Sequence, residues 1–233
     1  MVDCERFVNS RFTSNTYIIS CADSENIWIV DPGDTKVVFE WMYNHSKTIV
    51  SGILLTHGHF DHIYGVNDIL SRFPACVVYV ANAYGREVLS DPKKNASKYT
   101  EEGPLAVLAS AHVSLYAEGM KLWDDTPMKV LYTPGHSDDS VCLIVNDMLF
   151  TGDTLIKDVR TVTKLKTGSR EKLMETIALL ETFKGQGLTV YPGHGEVFRF
   201  DDYDLDQSVG TIIIAPHRRE RQSRSGGSSP AGL

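Results

Sequence analysis

The sequence predicts an α/β layered domain with helices outside the sheets, and three observations carry that prediction. Strand-like and helix-like periodicities are mixed in both halves of the chain, no internal repeat is visible, and 42% hydrophobic with 23% charged residues is an ordinary globular composition. At 233 residues the chain can bury one substantial core, so a single domain over residues 1–216 is expected.

Alternating apolar residues in "NTYIIS" (15–20) and "NIWIVD" (26–31) predict two strands joined by a polar turn, most simply a hairpin. "DPGD" (31–34) then breaks the pattern, either as a plain turn or as support for a site. Residues 35–46 space their apolar side chains as a helix does, and "TIVSGILLT" (48–56) reads as a buried strand. A helix over 63–73, a strand over 76–81 and a short helix over 82–91, ended by Pro92, come next. After a polar excursion (92–111), "HVSLY", "MKLW", "MKVLYT", "SVCLIV" and "MLFTG" predict a succession of short strands. Residues 169–183 are the clearest helix: Ser169 can cap it, and Leu173, Ile177, Leu180 and Phe183 recur at helical spacing. "LTVYPGHG" (188–195) is one more strand. From His217 to residue 233 the apolar pattern is lost, and a disordered tail, native or vector-derived, is expected.

Composition excludes several functions. No run approaches the roughly 18 apolar residues of a membrane span, and the N-terminus lacks the apolar region of a signal peptide, so a cytoplasmic protein with no membrane partner is expected. Cys4, Cys21, Cys76 and Cys142 are scattered without a C-x-x-C pair, which argues against a disulfide framework or thiolate zinc site and for buried thiols. A formal charge of −7 works against a phosphate backbone, so no nucleic-acid partner is expected.

Five of the eight histidines stand in three phrases, "THGHFDH" (His57, His59, His62), "TPGHS" (His136) and "YPGHG" (His194), each after an apolar strand. "FTGDT" puts Asp153 in the same kind of position, and loops beyond strand ends are where α/β proteins place their chemistry. His57 and His59 are two apart, so in extended chain both rings project from one side and can grip one ion, with Gly58 leaving room. Asp61 and His62 follow as the chain turns toward the next helix, so they point elsewhere, toward a second ion. His45, His112 and His217 are read as ordinary surface or core residues. Two divalent cations against neutral imidazoles, Asp61, Asp153 and a bridging hydroxide leave a slightly positive centre, suited to a developing oxyanion. Nitrogen and oxygen ligands without thiolate fit zinc best, with iron or manganese as alternatives.

"THGHFDH", "TPGHS", "FTGDT" and "YPGHG", in that order over about residues 10–200, resemble the metal motifs of the metallo-β-lactamase-fold hydrolase superfamily. The resemblance implies a four-layer αββα sandwich, with His57, His59 and His136 on the first metal, Asp61, His62 and His194 on the second, and Asp153 bridging. Asp61 and Asp153 are thereby the catalytic carboxylates. The sequence is most similar to the glyoxalase II-like branch, which cleaves small acyl thioesters. True β-lactamases place Cys or Ser where this chain has Asp153, and flavodiiron proteins place Glu at the position of His59.

The mechanism implied is attack of a bridging hydroxide on a carbonyl carbon, the metals lowering the pKa of that water toward ~7. Two features depart from the branch. Glyoxalase II continues into a helical domain that grips glutathione, whereas 39 residues follow His194, so weak glutathione specificity is expected. "GHSDDS" (135–140) carries Asp139 where many relatives have Gly, and solvent-facing loop residues are the simpler reading of Asp138 and Asp139. Tyr191, Lys164 and Lys166 are read as ordinary residues and left out of the site. Competing readings are a phosphodiesterase or RNase of the same fold, a persulfide dioxygenase with one iron, and a non-catalytic metal-binding module. The acidic charge opposes the first, and the complete ligand set opposes the other two.

Overall fold

The computed structural model describes residues 1–101, 103–108 and 112–210; the tail expected from 217 and the last six residues of the expected domain lie outside them. Two six-stranded sheets form the body. The first runs β1 (Val2–Val8), β2 (Asn15–Cys21), β3 (Asn26–Val30), β4 (Ile49–Leu54), β5 (Val77–Val80), β6 (Val113–Leu115) in both sequence and space. The second runs β7 (Lys121–Trp123), β8 (Thr126–Tyr132), β9 (Val141–Val145), β10 (Met148–Gly152), β11 (Thr189–Pro192), β12 (Phe198–Arg199) in the same simple order. Helices α1 (Thr35–Asn44), α2 (Val66–Arg72) and α3 (Ala83–Ser90) belong to the first sheet, and α4 (Arg170–Glu181) and α5 (Asp206–Val209) to the second.

The period-2 rule sorts the apolar side chains into three layers. On β2, Ile18 packs toward Val38, Met42, Val66 and Ile69 of the helices, whereas Tyr17 and Ile19 pack toward the other sheet. On β9, Val141, Leu143 and Val145 face the first sheet while Cys142 faces Leu173 and Leu180 of α4. The order of layers is therefore helix, sheet, sheet, helix, the αββα sandwich. Burial on both faces explains why β2 to β4, β9 and β10 read as near-continuous apolar runs.

The predicted hairpin is present, with β2 and β3 antiparallel. Ser169 caps α4, its Oγ accepting the Lys172 N–H at 3.2 Å. Three elements escaped the sequence reading. β1 is an edge strand whose Asp3 and Glu5 point to solvent, so charge masks its alternation, while Val2 and Cys4 pack between the sheets. β12 and α5 have two and four residues, too few to leave a periodic trace. Of the four thiols, Cys76 and Cys142 are buried as expected; Cys4 and Cys21 are half-buried. Among the described residues, no helix is long and apolar enough to cross a membrane.

Candidate metal centre

The exits of β4, β8, β10 and β11 converge at one end of the two sheets, and all seven expected residues lie there. His57, His59 and His136 bring ligand atoms within 4.8 Å of one another, as do Asp61, His62 and His194. Asp153 stands between the two groups. Its Oδ2 is 3.6 Å from His136 Nε2, and its Oδ1 lies 3.4 Å from His62 Nε2 and 3.6 Å from His194 Nε2. The Asp61 Oδ2 is 3.3 Å from His194 Nε2 and 3.6 Å from His62 Nε2.

Hydrogen bonds behind the rings decide which nitrogen faces the centre. Thr56 Oγ1 donates to Asp31 Oδ2 at 2.6 Å, so at 3.1 Å from His57 Nδ1 it accepts, and the His57 Nε2 lone pair turns inward. His62 Nδ1 donates to Asp31 Oδ2 at 3.1 Å, and His136 Nδ1 donates to the Val162 carbonyl at 2.9 Å. Both rings thus also turn Nε2 inward as lone pairs. His59 presents Nδ1 to His136 Nε2 at 2.9 Å.

Not all of the inward atoms have protein partners. Five buried side-chain polar atoms among the described residues have no hydrogen bond, and three of them are His57 Nε2, His62 Nε2 and Asp153 Oδ1. Buried polar atoms are almost always paired, so three orphans aimed into one space fit a bound cation. Asp31, His57 and His62 also lie close enough to form a third triad. Asp31 already accepts from the Thr56 N–H at 2.8 Å, Thr56 Oγ1 and His62 Nδ1, so its carboxylate is engaged in orienting His62 and the chain at Thr56. "DPGD" is thereby a support of the site.

Close packing accounts for two glycines of the motifs. A Cβ on Gly193 would stand 2.3 Å from Asp153 Oδ1 and 2.9 Å from His62 Cε1. A Cβ on Gly58 would meet Val88 Cγ1 of α3 at 2.3 Å, so this glycine admits the helix as well as separating two histidines.

The electrostatics divide the cluster. Burial, then the neighbouring His62 and His59, hold His57 well below the usual imidazole range. Burial and His136 push His59 down to about 3. Burial also opposes charge on His62 and His194, but Asp61 and Asp153 outweigh it and raise both, with Asp31 adding to His62. Asp153 is drawn well below the carboxylate range despite its burial, by His62 first and then His57 and His136.

A cavity of about 150 Å³ opens beside His59, lined by Tyr84, Lys93, Lys94, Tyr99 and Lys166 with apolar Val88 and Leu165. Lys166, an ordinary residue on the sequence reading, lines this wall; Lys164 does not. Tyr191, the first residue of "YPGHG", packs its ring on Tyr17 and Phe150 between the sheets. The solvent-facing reading of "DD" holds for Asp138, whose side chain is 40% exposed and pairs with Lys172, but not for Asp139, which is 3% exposed. His45 stacks on Trp41 at the end of α1, away from the cluster.

Fold and site together define a class: the chain belongs to the Metallo-beta-lactamase superfamily, whose family profile matches residues 49–194. More particularly, it is 30% identical over 144 residues to the hydroxyacylglutathione hydrolase of Pseudoalteromonas translucida (strain TAC 125), covering 61% of this chain and 47% of that one. The chain spans about half the length of the curated relatives it matches. Among solved structures, the BLEG-1 B3 metallo-beta-lactamase superposes with a TM-score of 0.76 at 28% identity, over 84% of this chain and 94% of that one. TTHA1623, solved in a di-iron-bound form, gives a TM-score of 0.68 at 23% identity over 84% and 94% of the two chains, a likeness of fold.

Proposed function

We propose that this protein is a dinuclear metal-dependent hydrolase of small acyl thioesters. The observation that carries the reading is the Asp153 carboxylate, with one oxygen toward each of two candidate ligand groups, where His57 Nε2, His62 Nε2 and its own Oδ1 have no hydrogen-bond partner among the described residues. His57, His59 and His136 would hold one divalent ion, Asp61, His62 and His194 the other, with Asp153 shared; zinc fits the donors best, and iron or manganese would also suit them. When bound, such ions supply a nucleophilic water at neutral pH and a Lewis acid for a carbonyl oxygen.

The chain's own residues fit that division of labour. Thr56 is the only hydroxyl paired with a site histidine among the described residues, and it is buried with its proton given to Asp31, so it cannot attack a substrate. The low-lying carboxyls of Asp61 and Asp153 stay ionised at neutral pH, as ligands and proton acceptors must. Lys93 and Lys166 around the cavity beside His59, where Lys94 already pairs with Glu87, suit a substrate with an anionic end, a feature of hydroxyacylglutathione, which names the curated relatives.

Comparing kcat/KM for one acyl group carried on glutathione, coenzyme A and a neutral thiol, alongside a β-lactam and a phosphodiester, tests the reading. The thioesters should be turned over best, the anionic carriers leading the neutral one by on the order of tenfold. Lysine ammonium groups read charge more than shape, so glutathione should not lead coenzyme A by ~10⁴, the discrimination that dedicated hydrogen-bond readout gives. Efficient phosphodiester or β-lactam cleavage without thioesterase activity would overturn the assignment.

Acidification should separate the two ions. A raised histidine pKa means that protons compete with metal from a higher pH, and His62 and His194 are raised while His57 and His59 are lowered. As pH falls, the ion of the Asp61, His62 and His194 group should leave first. Metal content followed by equilibrium dialysis against pH should fall in two steps, and His194→Ala should abolish the earlier one. Simultaneous loss of both ions would contradict this order.

A further inference from the structure

Asp31 grips the "THGHFDH" segment from behind at Thr56, but His59, three residues further along, has no hydrogen bond behind its ring among the described residues. Beside Gly58 of the same segment lies Asp139. It is 3% exposed, its Oδ1 accepts from Ser137 Oγ at 2.8 Å, and its Oδ2 stands 3.1 Å from where a Cβ on Gly58 would lie. A Cβ on Gly85, in the first turn of α3, would come within 3.3 Å of the Asp139 Cβ. The carboxylate is thus wedged between the His57–His59 segment, the loop that carries His136, and α3, with glycine at both contacts. Asn82 closes the same corner, capping α3 through the Gly85 N–H and donating to the Asp138 carbonyl at 3.0 Å.

We infer that Asp139 is a positioning residue for the three-histidine group, holding the backbone at Gly58 so that His57 and His59 meet His136. The inference rests on the metal-centre reading above. Asp139 stands against this segment at Gly58, between His57 and His59, and it belongs to the loop that carries His136. Burial pushes the Asp139 carboxyl up, opposed by the Ser137 hydroxyl and by the N–H groups of Asp139 and Gly58, the contacts expected of a clamp.

Orientation of this kind is worth roughly 10–100-fold in metal affinity. Chelator-competition titration with zinc should show two steps in the wild type. Asp139→Ala and Asp139→Gly should weaken the step that persists in a His194→Ala background by about that factor and leave the other unchanged. Asp139→Asn should restore it, because the amide oxygen can accept from Gly58 while its NH₂ donates to Ser137 Oγ, whose proton can turn to Ser140 Oγ at 2.8 Å. Thermal melts establish that each variant is folded. If Asp139→Ala or Asp139→Gly fails to fold, Asp139→Asn alone decides: wild-type affinity supports a positioning role, and a loss of about 10-fold or more at the first step assigns Asp139 an effect of charge and overturns it. Unchanged affinity in folded Asp139→Ala overturns it as well. A wild type that binds no ion at the first group would sink the metal-centre reading and this inference together.

Discussion

Asp153→Asn should yield a folded protein that binds both ions at least ~10²-fold more weakly, beyond the range seen for residues that only orient ligands. Turnover should fall by roughly 10³-fold, the upper range for loss of one electrostatic contact to a transition state. The two carboxylate oxygens face different groups, Oδ1 toward His62 and His194 and Oδ2 toward His136. An amide has one oxygen, so in either orientation its NH₂ points hydrogens at nitrogen lone pairs meant for a cation. The substitution also removes a negative charge from between two dications. The fold should survive because Asn fills the same space against Gly193, where a Cβ would meet Oδ1 at 2.3 Å. Elemental analysis of the wild type should approach two ions per chain. His112→Ala is the matched control, with metal content unchanged. An Asp153→Asn protein with wild-type metal content and rate would remove Asp153 from the centre.

The clustering of the seven residues was legible because each phrase is local: an apolar strand followed at once by Gly-His, Gly-Asp or His-x-His announces a side chain aimed from a sheet end. Even the division of "THGHFDH" into two directions follows from strand periodicity, since His57 and His59 share a face and the chain turns before Asp61. What holds those side chains in place was less legible. Asp31 looked as much like a turn residue as a functional one, because its partners, Thr56 and His62, are brought to it by the parallel pairing of β3 with β4. Asp139 reads as a polar loop residue, and only the approach of α3 buries it. Lys93, Lys94 and Lys166 come from two distant loops, and their common cavity exists only in the folded chain. Charge patterning hid β1 for a related reason: an edge strand needs one buried row, and Asp3 and Glu5 occupy the other.

Asp31→Ala should be the most damaging single change to stability outside the apolar layers. The side chain is 2% exposed and accepts from the Thr56 N–H, Thr56 Oγ1 and His62 Nδ1. Truncation leaves three buried donors behind, each costing about 1–3 kcal/mol unpaired, and the costs overlap because two belong to Thr56. Asp31 also sits at φ 48°, a left-handed conformation that Asp and Asn tolerate better than Ala. A total loss of about 3–5 kcal/mol is expected, read as a lower urea midpoint at unchanged slope. Asp31→Asn separates stability from ligation. It suits the backbone and keeps one acceptor, which the Thr56 N–H and hydroxyl compete to use, but its NH₂ then faces His62 Nδ1. The ring must accept there and move its proton to Nε2, the atom that faces Asp61 and Asp153. The folded variant should therefore lose roughly 10–100-fold in affinity for the ion of the Asp61, His62 and His194 group, with the three-histidine group much less affected. Zinc titration of Asp31→Asn showing both steps at wild-type strength would mean that Asp31 does not set the His62 tautomer, and its conformation and three acceptor bonds would then serve the fold alone.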